Sequence, residues 1–298
     1  MRIFVINLKR SADRKVHIIK QLDNLNIAYE FIDAIDGQGL SDDEIKMHGV
    51  DTFPPWFSFN QRHLVKGEIG CILSHLGIYR KMIDEDIECA CIFEDDCVFE
   101  KDLGIILKNE QLRRSDYELL LLGHSGQYQD TSRGAECSSK KEPVLSRYHI
   151  AKPVERPFGT YAYIIKQCAA LKLLQYAYPL RLPMDCLTGH AQAIGVKLRI
   201  LTPPIVTHNV TLGPSTINDR DSNSRLYVCK ARRIKCMVGR KYPILRMIKK
   251  ICLFPYVTLL LKLRKAGILD GDSYAEKRYF RQNSLAKYPQ PPVPRNEK

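Results

Sequence analysis

The chain has 298 residues, 45% of them hydrophobic and 27% charged, the composition of a globular protein with apolar material for one large domain or two modest ones, which excludes disorder as the default. The net charge of +13 is localised: residues 225–298 hold 19 Lys and Arg against four acids, and residues 1–224 are close to neutral. A basic tail on a near-neutral body suits contact with something anionic, either a membrane surface or a nucleic acid.

The opening MRIFVINLKR has an apolar stretch only over residues 3–6, too short for the core of a secretory signal, so the expected location is the cytoplasm. Residues 3–6 read as a strand, and NLKRSADR over 7–14 as a polar loop with Ser11 placed as a helix N-cap. A helix is expected over 12–25, with Val16, Ile18, Ile19 and Leu22 at helical spacing, followed by a strand over 29–34. Strand-helix-strand at the start of a chain predicts an α/β domain with a mostly parallel sheet whose strand ends build a ligand site.

Residues 41–60 read as a long aromatic loop around Trp56, either packed down or covering a site. A helix over 67–82 follows, with Ile69, Ile72, Leu73, Leu76 and Tyr79 on one face, then a buried strand over 89–93 that stops on three acids. Another buried strand is expected over 117–122 and a polar loop over 125–143. A strand over 161–165, a helix over 168–176 and a helix opening at Pro183 and running to Ile194 complete the domain over residues 1–224. Residues 225–298 read as a basic helical region whose apolar run, 251–261, is broken by Pro255. Eleven residues cannot cross a bilayer, which takes about 20. Flanked by lysines and arginines, the run suits an anionic membrane interface, and the expected position is peripheral, on the inner face of the cytoplasmic membrane. Ten cysteines without a CxxC pair argue against a disulfide framework or a structural zinc site.

Glu94-Asp95-Asp96 is the sharpest chemical feature. Three adjacent carboxylates repel one another, and strand alternation is expected to aim Glu94 and Asp96 at one point, with Asp95 facing away. A cation there would be Mg²⁺ or Mn²⁺, since the ligands are oxygens; the competing reading is a solvated acidic turn. Asp185 falls at a helix start, as a simple cap or as a group that contacts a sugar or accepts a proton. His208 closes the last expected strand, as a third metal ligand, a diphosphate contact or a structural side chain. Arg10, Arg14 and Lys66 are loop cations able to meet a diphosphate or simply be solvated. Ser74 and His75, adjacent on a helix, point to different faces, so a nucleophilic pair is not expected and His75 is placed under the sheet or near a nucleotide.

Taken together, VINLKRSADR, KGEIGCILSH, CIFEDDCVF, RPFGTYAYII and LPMD, in that order over residues 1 to about 215, resemble glycosyltransferase family 25, which includes lipooligosaccharide hexosyltransferases of Gram-negative bacteria and collagen galactosyltransferases. The resemblance implies a GT-A-like nucleotide-sugar-binding domain, a UDP-sugar donor (UDP-galactose or UDP-glucose), Mn²⁺ or Mg²⁺, and inversion to a β-linkage. It places the acidic metal motif on Glu94, Asp95 and Asp96, and a glycine-threonine motif on Gly159 and Thr160. The proline-x-aspartate motif falls on Asp185, the first candidate base, with Asp95 the second. The loop Asn7, Leu8, Arg10, Arg14 and Lys66 is then expected at the donor. The implied acceptor is lipooligosaccharide or lipopolysaccharide. The rival readings are a nucleotidyltransferase, which would need a glycine-rich phosphate loop that NLKRSADR lacks, and a basic membrane- or nucleic-acid-binding protein built on a non-catalytic domain. The apolar run between basic clusters favours a membrane, and nucleic acid is not the expected partner.

Overall fold

The computed structural model describes residues 1–50, 63–126 and 134–209. Expectations for residues 51–62, 127–133 and 210–298, including part of the polar loop and the basic region, lie outside the described residues.

The chain opens with β1 (Arg2–Asn7), α1 (Ala12–Asn24) and β2 (Glu30–Asp33). A 3-10 turn over Gly37–Gly39 leads to α2 (Asp42–Met47), then α3 (Lys66–Asp84), β3 (Cys89–Glu94) and the short β4 (Cys97–Phe99). Next come α4 (Leu103–Lys108), α5 (Glu110–Arg114) and β5 (Leu119–Leu121), then the hairpin β6 (Cys137–Leu145) and β7 (Tyr148–Pro153). The remainder is β8 (Ala162–Lys166), α6 (Gln167–Ala177), α7 (Met184–Gly189), β9 (Leu198–Thr202) and β10 (Val206–His208). Among the described residues no helix is long and apolar enough to cross a membrane.

Eight strands form one sheet in the order β2-β1-β3-β8-β5-β9-β7-β6. β1 pairs in parallel with β2 and β3, and β5 with β9, while β8 runs against both β3 and β5. The α/β sheet is thus mostly parallel in strand direction from β2 to β9, with β8 the one reversed strand, inserted between β3 and β5. Its central strands are buried on both faces, so period-2 alternation sorts their side chains into two cores instead of core and solvent. Phe4, Ile92, Leu119 and Tyr163 join α3 and α6 on one face; Val5, Cys91, Leu120 and Ile164 join Ile18 and Leu22 of α1 on the other. α3 is covered nearly all round, and its buried Glu68 accepts from the Val65 backbone N–H at 3.0 Å, securing the first turn.

Three expectations change. Residues 137–143 of the expected loop belong to β6, which with β7 forms a hairpin at the sheet edge; the edge strand carries Lys140, Lys141 and Pro143, residues that protect an unpaired edge and hide the strand from a hydrophobic pattern. Residues 42–47 of the expected aromatic loop form α2, closed by a capping box in which Ser41 Oγ accepts from Glu44 N at 3.3 Å and Glu44 Oε2 accepts from Ser41 N at 2.7 Å. The single helix expected to reach Ile194 stops at Gly189 and continues as a 3-10 turn over Ala191–Ile194.

Candidate active site

Parallel strands end together, and a ligand site forms outside their carboxyl ends. Beyond β1, β2 and β3 lies a cleft of about 680 Å³, lined by Leu8, Arg10, Arg14, Asp36, His75 and the acids 94–96 among others. Its back wall depends on a close backbone approach: a Cβ on Gly70 of α3 would lie 2.5 Å from both Gly37 N and Ile35 O, so only glycine lets the loop after β2 settle on α3. A second cleft of about 540 Å³ is lined by Gly159, Thr160, Met184 and Asp185, and shares Cys71 and Glu94 with the first.

The three acids do not alternate as expected, because the strand ends at Glu94 and Asp95-Asp96 form a turn. Asp95 is tied inward: Asn7 Nδ2 donates to its Oδ2 at 2.7 Å and Arg14 Nη1 to its Oδ1 at 3.2 Å. Arg14 also donates to Asp96 Oδ2 at 3.3 Å. Asp96 Oδ1 is buried without a hydrogen-bond partner among the described residues. Burial, and then the charge of Glu94, push the Asp96 carboxyl up to about 7. Burial also raises Asp95, against the opposing pull of the Asn7 hydrogen bond and Arg14. Glu94 borders both clefts, its Oε1 3.4 Å from both His75 Nε2 and Thr160 Oγ1.

A buried orphan oxygen beside two further carboxylates and one guanidinium fits a divalent cation, which would offset both the burial and the repulsion that raise Asp96. Glu94 and Asp96 have coordination capacity to spare; both Asp95 oxygens are engaged.

The remaining candidates are partly dispersed. Arg10 pairs with Asp36 at 3.3 Å on the cleft wall. Lys66 turns to the Leu40 carbonyl at 2.8 Å, and its neighbour Gly67 lines the cleft instead. Leu8 closes the loop after β1, its carbonyl accepting from Ser11 N at 2.8 Å; Ser11 sits at the N-cap of α1 without a side-chain capping bond. Gly159, at φ +114°, bends the chain past Tyr161 and presents Thr160 to Glu94. Asp185 lies in the first turn of α7, with Pro183 at the cap position. His208 is on β10, which pairs with β4 outside the main sheet; its ring centroid is 5.3 Å from that of Tyr161, and it lines neither cleft. His75 is buried as expected, with Nδ1 2.8 Å from the Tyr163 hydroxyl. Cys71, one helical turn from His75 on α3, was not anticipated; the i,i+4 spacing was the available signal.

The profile of glycosyltransferase family 25 (LPS biosynthesis protein) matches residues 1–188. Procollagen galactosyltransferase 1 of Danio rerio is 29% identical over 190 residues, 61% of this chain and 30% of that protein. Procollagen galactosyltransferase 2 of Homo sapiens is 30% identical over 179 residues, 58% and 27%. A probable inactive glycosyltransferase 25 family member 3 of Bos taurus is 28% identical over 190 residues, 61% and 30%. The chain therefore matches less than a third of the length of these relatives. A solved structure described as a glucose-1-phosphate thymidylyltransferase from Bacillus anthracis superposes with a TM-score of 0.34 at 10% identity, covering 66% of this chain and 65% of that one. The profile match spans both clefts and the strand-end carboxylates between them, and the chain belongs to glycosyltransferase family 25.

Proposed function

We propose that this chain is an inverting, cation-dependent hexosyltransferase that moves galactose or glucose from a UDP-sugar to a lipooligosaccharide or lipopolysaccharide acceptor, forming a β-linkage. The observation that carries the reading is the unpartnered, buried Asp96 Oδ1 among three strand-end carboxylates at the head of a cleft. Glu94 and Asp96 would hold Mn²⁺ or Mg²⁺, which when bound stabilises charge developing on the departing diphosphate.

The chain's own groups have distinct tasks. Arg14 bridges Asp95 and Asp96 and limits their mutual repulsion. Arg10 offers its guanidinium to the diphosphate from the cleft wall. Asn7 and Arg14 occupy Asp95, which makes it a positioning residue for the turn that carries Asp96. Asp185, in the second cleft with Gly159 and Thr160, is the base that takes the proton from the acceptor hydroxyl. Two clefts meeting at Glu94 suit a donor on one side and an acceptor on the other.

The acceptor class is supported by the family's description and by the net positive charge of residues 225–298, which suits an anionic leaflet such as that of the cytoplasmic face. Incubating the full chain with Mn²⁺ and radiolabelled UDP-galactose or UDP-glucose, with truncated lipooligosaccharide and with procollagen in parallel, tests the acceptor. Label in the lipooligosaccharide, β-linked by NMR, is expected; label only in procollagen overturns it.

A further inference from the structure

The strand-end acids are not the only ligand set at the junction of the clefts. Cys71 Sγ, a ring nitrogen of His75 and a carboxylate oxygen of Glu94 all lie within 4.8 Å of one another. Cys71 and His75 are one turn apart on the same face of α3, and Glu94 reaches them from the end of β3. We propose that these three side chains form a site for a borderline-soft divalent cation, Zn²⁺, which shares Glu94 with the oxygen site that includes Asp96 and differs from it in its sulfur and nitrogen donors.

Three features carry the assignment. The donor set, one sulfur, one imidazole and one carboxylate, is that of zinc; magnesium and manganese favour oxygen. The imidazole is already oriented for ligation: Nδ1 is engaged by the Tyr163 hydroxyl at 2.8 Å, that hydroxyl is 2.9 Å from the hydroxyl of Tyr79, and Nε2 is left facing Glu94 at 3.4 Å. Metal-ligating histidines are fixed through their second nitrogen in this way. Finally, bonds of about 2.0 Å to nitrogen and oxygen and about 2.3 Å to sulfur put tetrahedral ligand atoms roughly 3.5 Å apart, so the set closes with about an ångström of side-chain adjustment. Three protein ligands leave a fourth position, and because Cys71 and Glu94 line both clefts, that position is open to an oxygen ligand from a substrate. Binding releases the Cys71 proton to solvent, since the thiolate is the ligand.

Titration of the purified, reduced full chain with Co²⁺ as a spectroscopic substitute tests the site without reference to activity. A thiolate-to-cobalt charge-transfer band is expected in the wild type, absent in Cys71→Ser and retained in Asp96→Asn. Displacement by Zn²⁺ gives an affinity that falls about tenfold or more in Tyr163→Phe, the expected loss when a histidine ligand is no longer oriented. No charge-transfer band, or a band unchanged in Cys71→Ser, overturns the proposal. Circular dichroism of each variant establishes that the fold is retained.

Discussion

Asn7 Nδ2 donates to Asp95 Oδ2 at 2.7 Å, joining the end of β1 to the turn after β3 across adjacent parallel strands. The bond is buried, so the Asp95 oxygen has no access to water as a substitute. Asn7→Ala is expected to cost about 1–3 kcal/mol, the desolvation penalty of an unsatisfied buried acceptor. Urea unfolding checks this: the midpoint falls while the slope is unchanged. An unshifted midpoint contradicts the role given to Asn7.

Asp96 without a cation is a liability. Its folded pKa, about 7, lies above the 3.8 of a free aspartate, so its contribution to stability is fully present below pH 3.8 and is lost as pH rises through 7. Asp96→Asn, which cannot ionise, is therefore expected to stabilise the cation-free protein more at pH 8 than at pH 5, and to remove the rise in Tm that Mn²⁺ gives the wild type. A variant equally responsive to Mn²⁺ would remove Asp96 from the cation site.

His124 is fully buried, and burial lowers its pKa from 6.5 to about 4. Its Nδ1 accepts from the Ala135 N–H at 2.9 Å and its Nε2 donates to the Leu201 carbonyl at 2.9 Å, which fixes the neutral tautomer. A depressed histidine stabilises the fold above pH 6.5 and loses that contribution as pH falls towards 4, an effect on the order of 3 kcal/mol at most. His124→Gln, which keeps a donor and an acceptor but does not titrate, should show a shallower decline of unfolding free energy over this window. Parallel declines would contradict it.

Gly70→Ala places a methyl group 2.5 Å from backbone atoms of Ile35 and Gly37. Backbone cannot swing aside as a long side chain can, so a loss of about 1–3 kcal/mol or more is expected, as for an overpacked core. UDP affinity should fall with it, because Asp36 and Gly37 shift with the loop. A neutral substitution by both calorimetry and UDP titration would show that the wall is not set by this contact.

Much of the fold was legible in the residues. The apolar run at 89–93, the four leucines of 119–122 and the spacing of Ile18 and Leu22 mark elements that burial determines, whereas Val16, read on the same helical spacing, is exposed. The β6–β7 hairpin was not legible, because an edge strand with Lys140 and Lys141 carries protection in place of hydrophobic pattern. In the site, the acids were legible by type but not by direction. Strand alternation holds only while the chain stays extended, and a turn at Asp95-Asp96 turned Glu94 to His75 and left Asp96 beside Arg14. Arg14 itself was visible only as a loop cation; that it meets both aspartates depends on the register of β1 beside β3, which no local pattern reports.

The central claim is cation-dependent use of a nucleotide sugar. The most direct measurement is UDP release from UDP-galactose and UDP-glucose by the purified full chain, with truncated lipooligosaccharide present, in Mn²⁺ and in EDTA, for wild type and Asp96→Asn. The account predicts release from one of the two donors in Mn²⁺, abolished by EDTA and by the substitution. Release that persists in EDTA or in Asp96→Asn, or no release from either donor by the folded wild type, would contradict it.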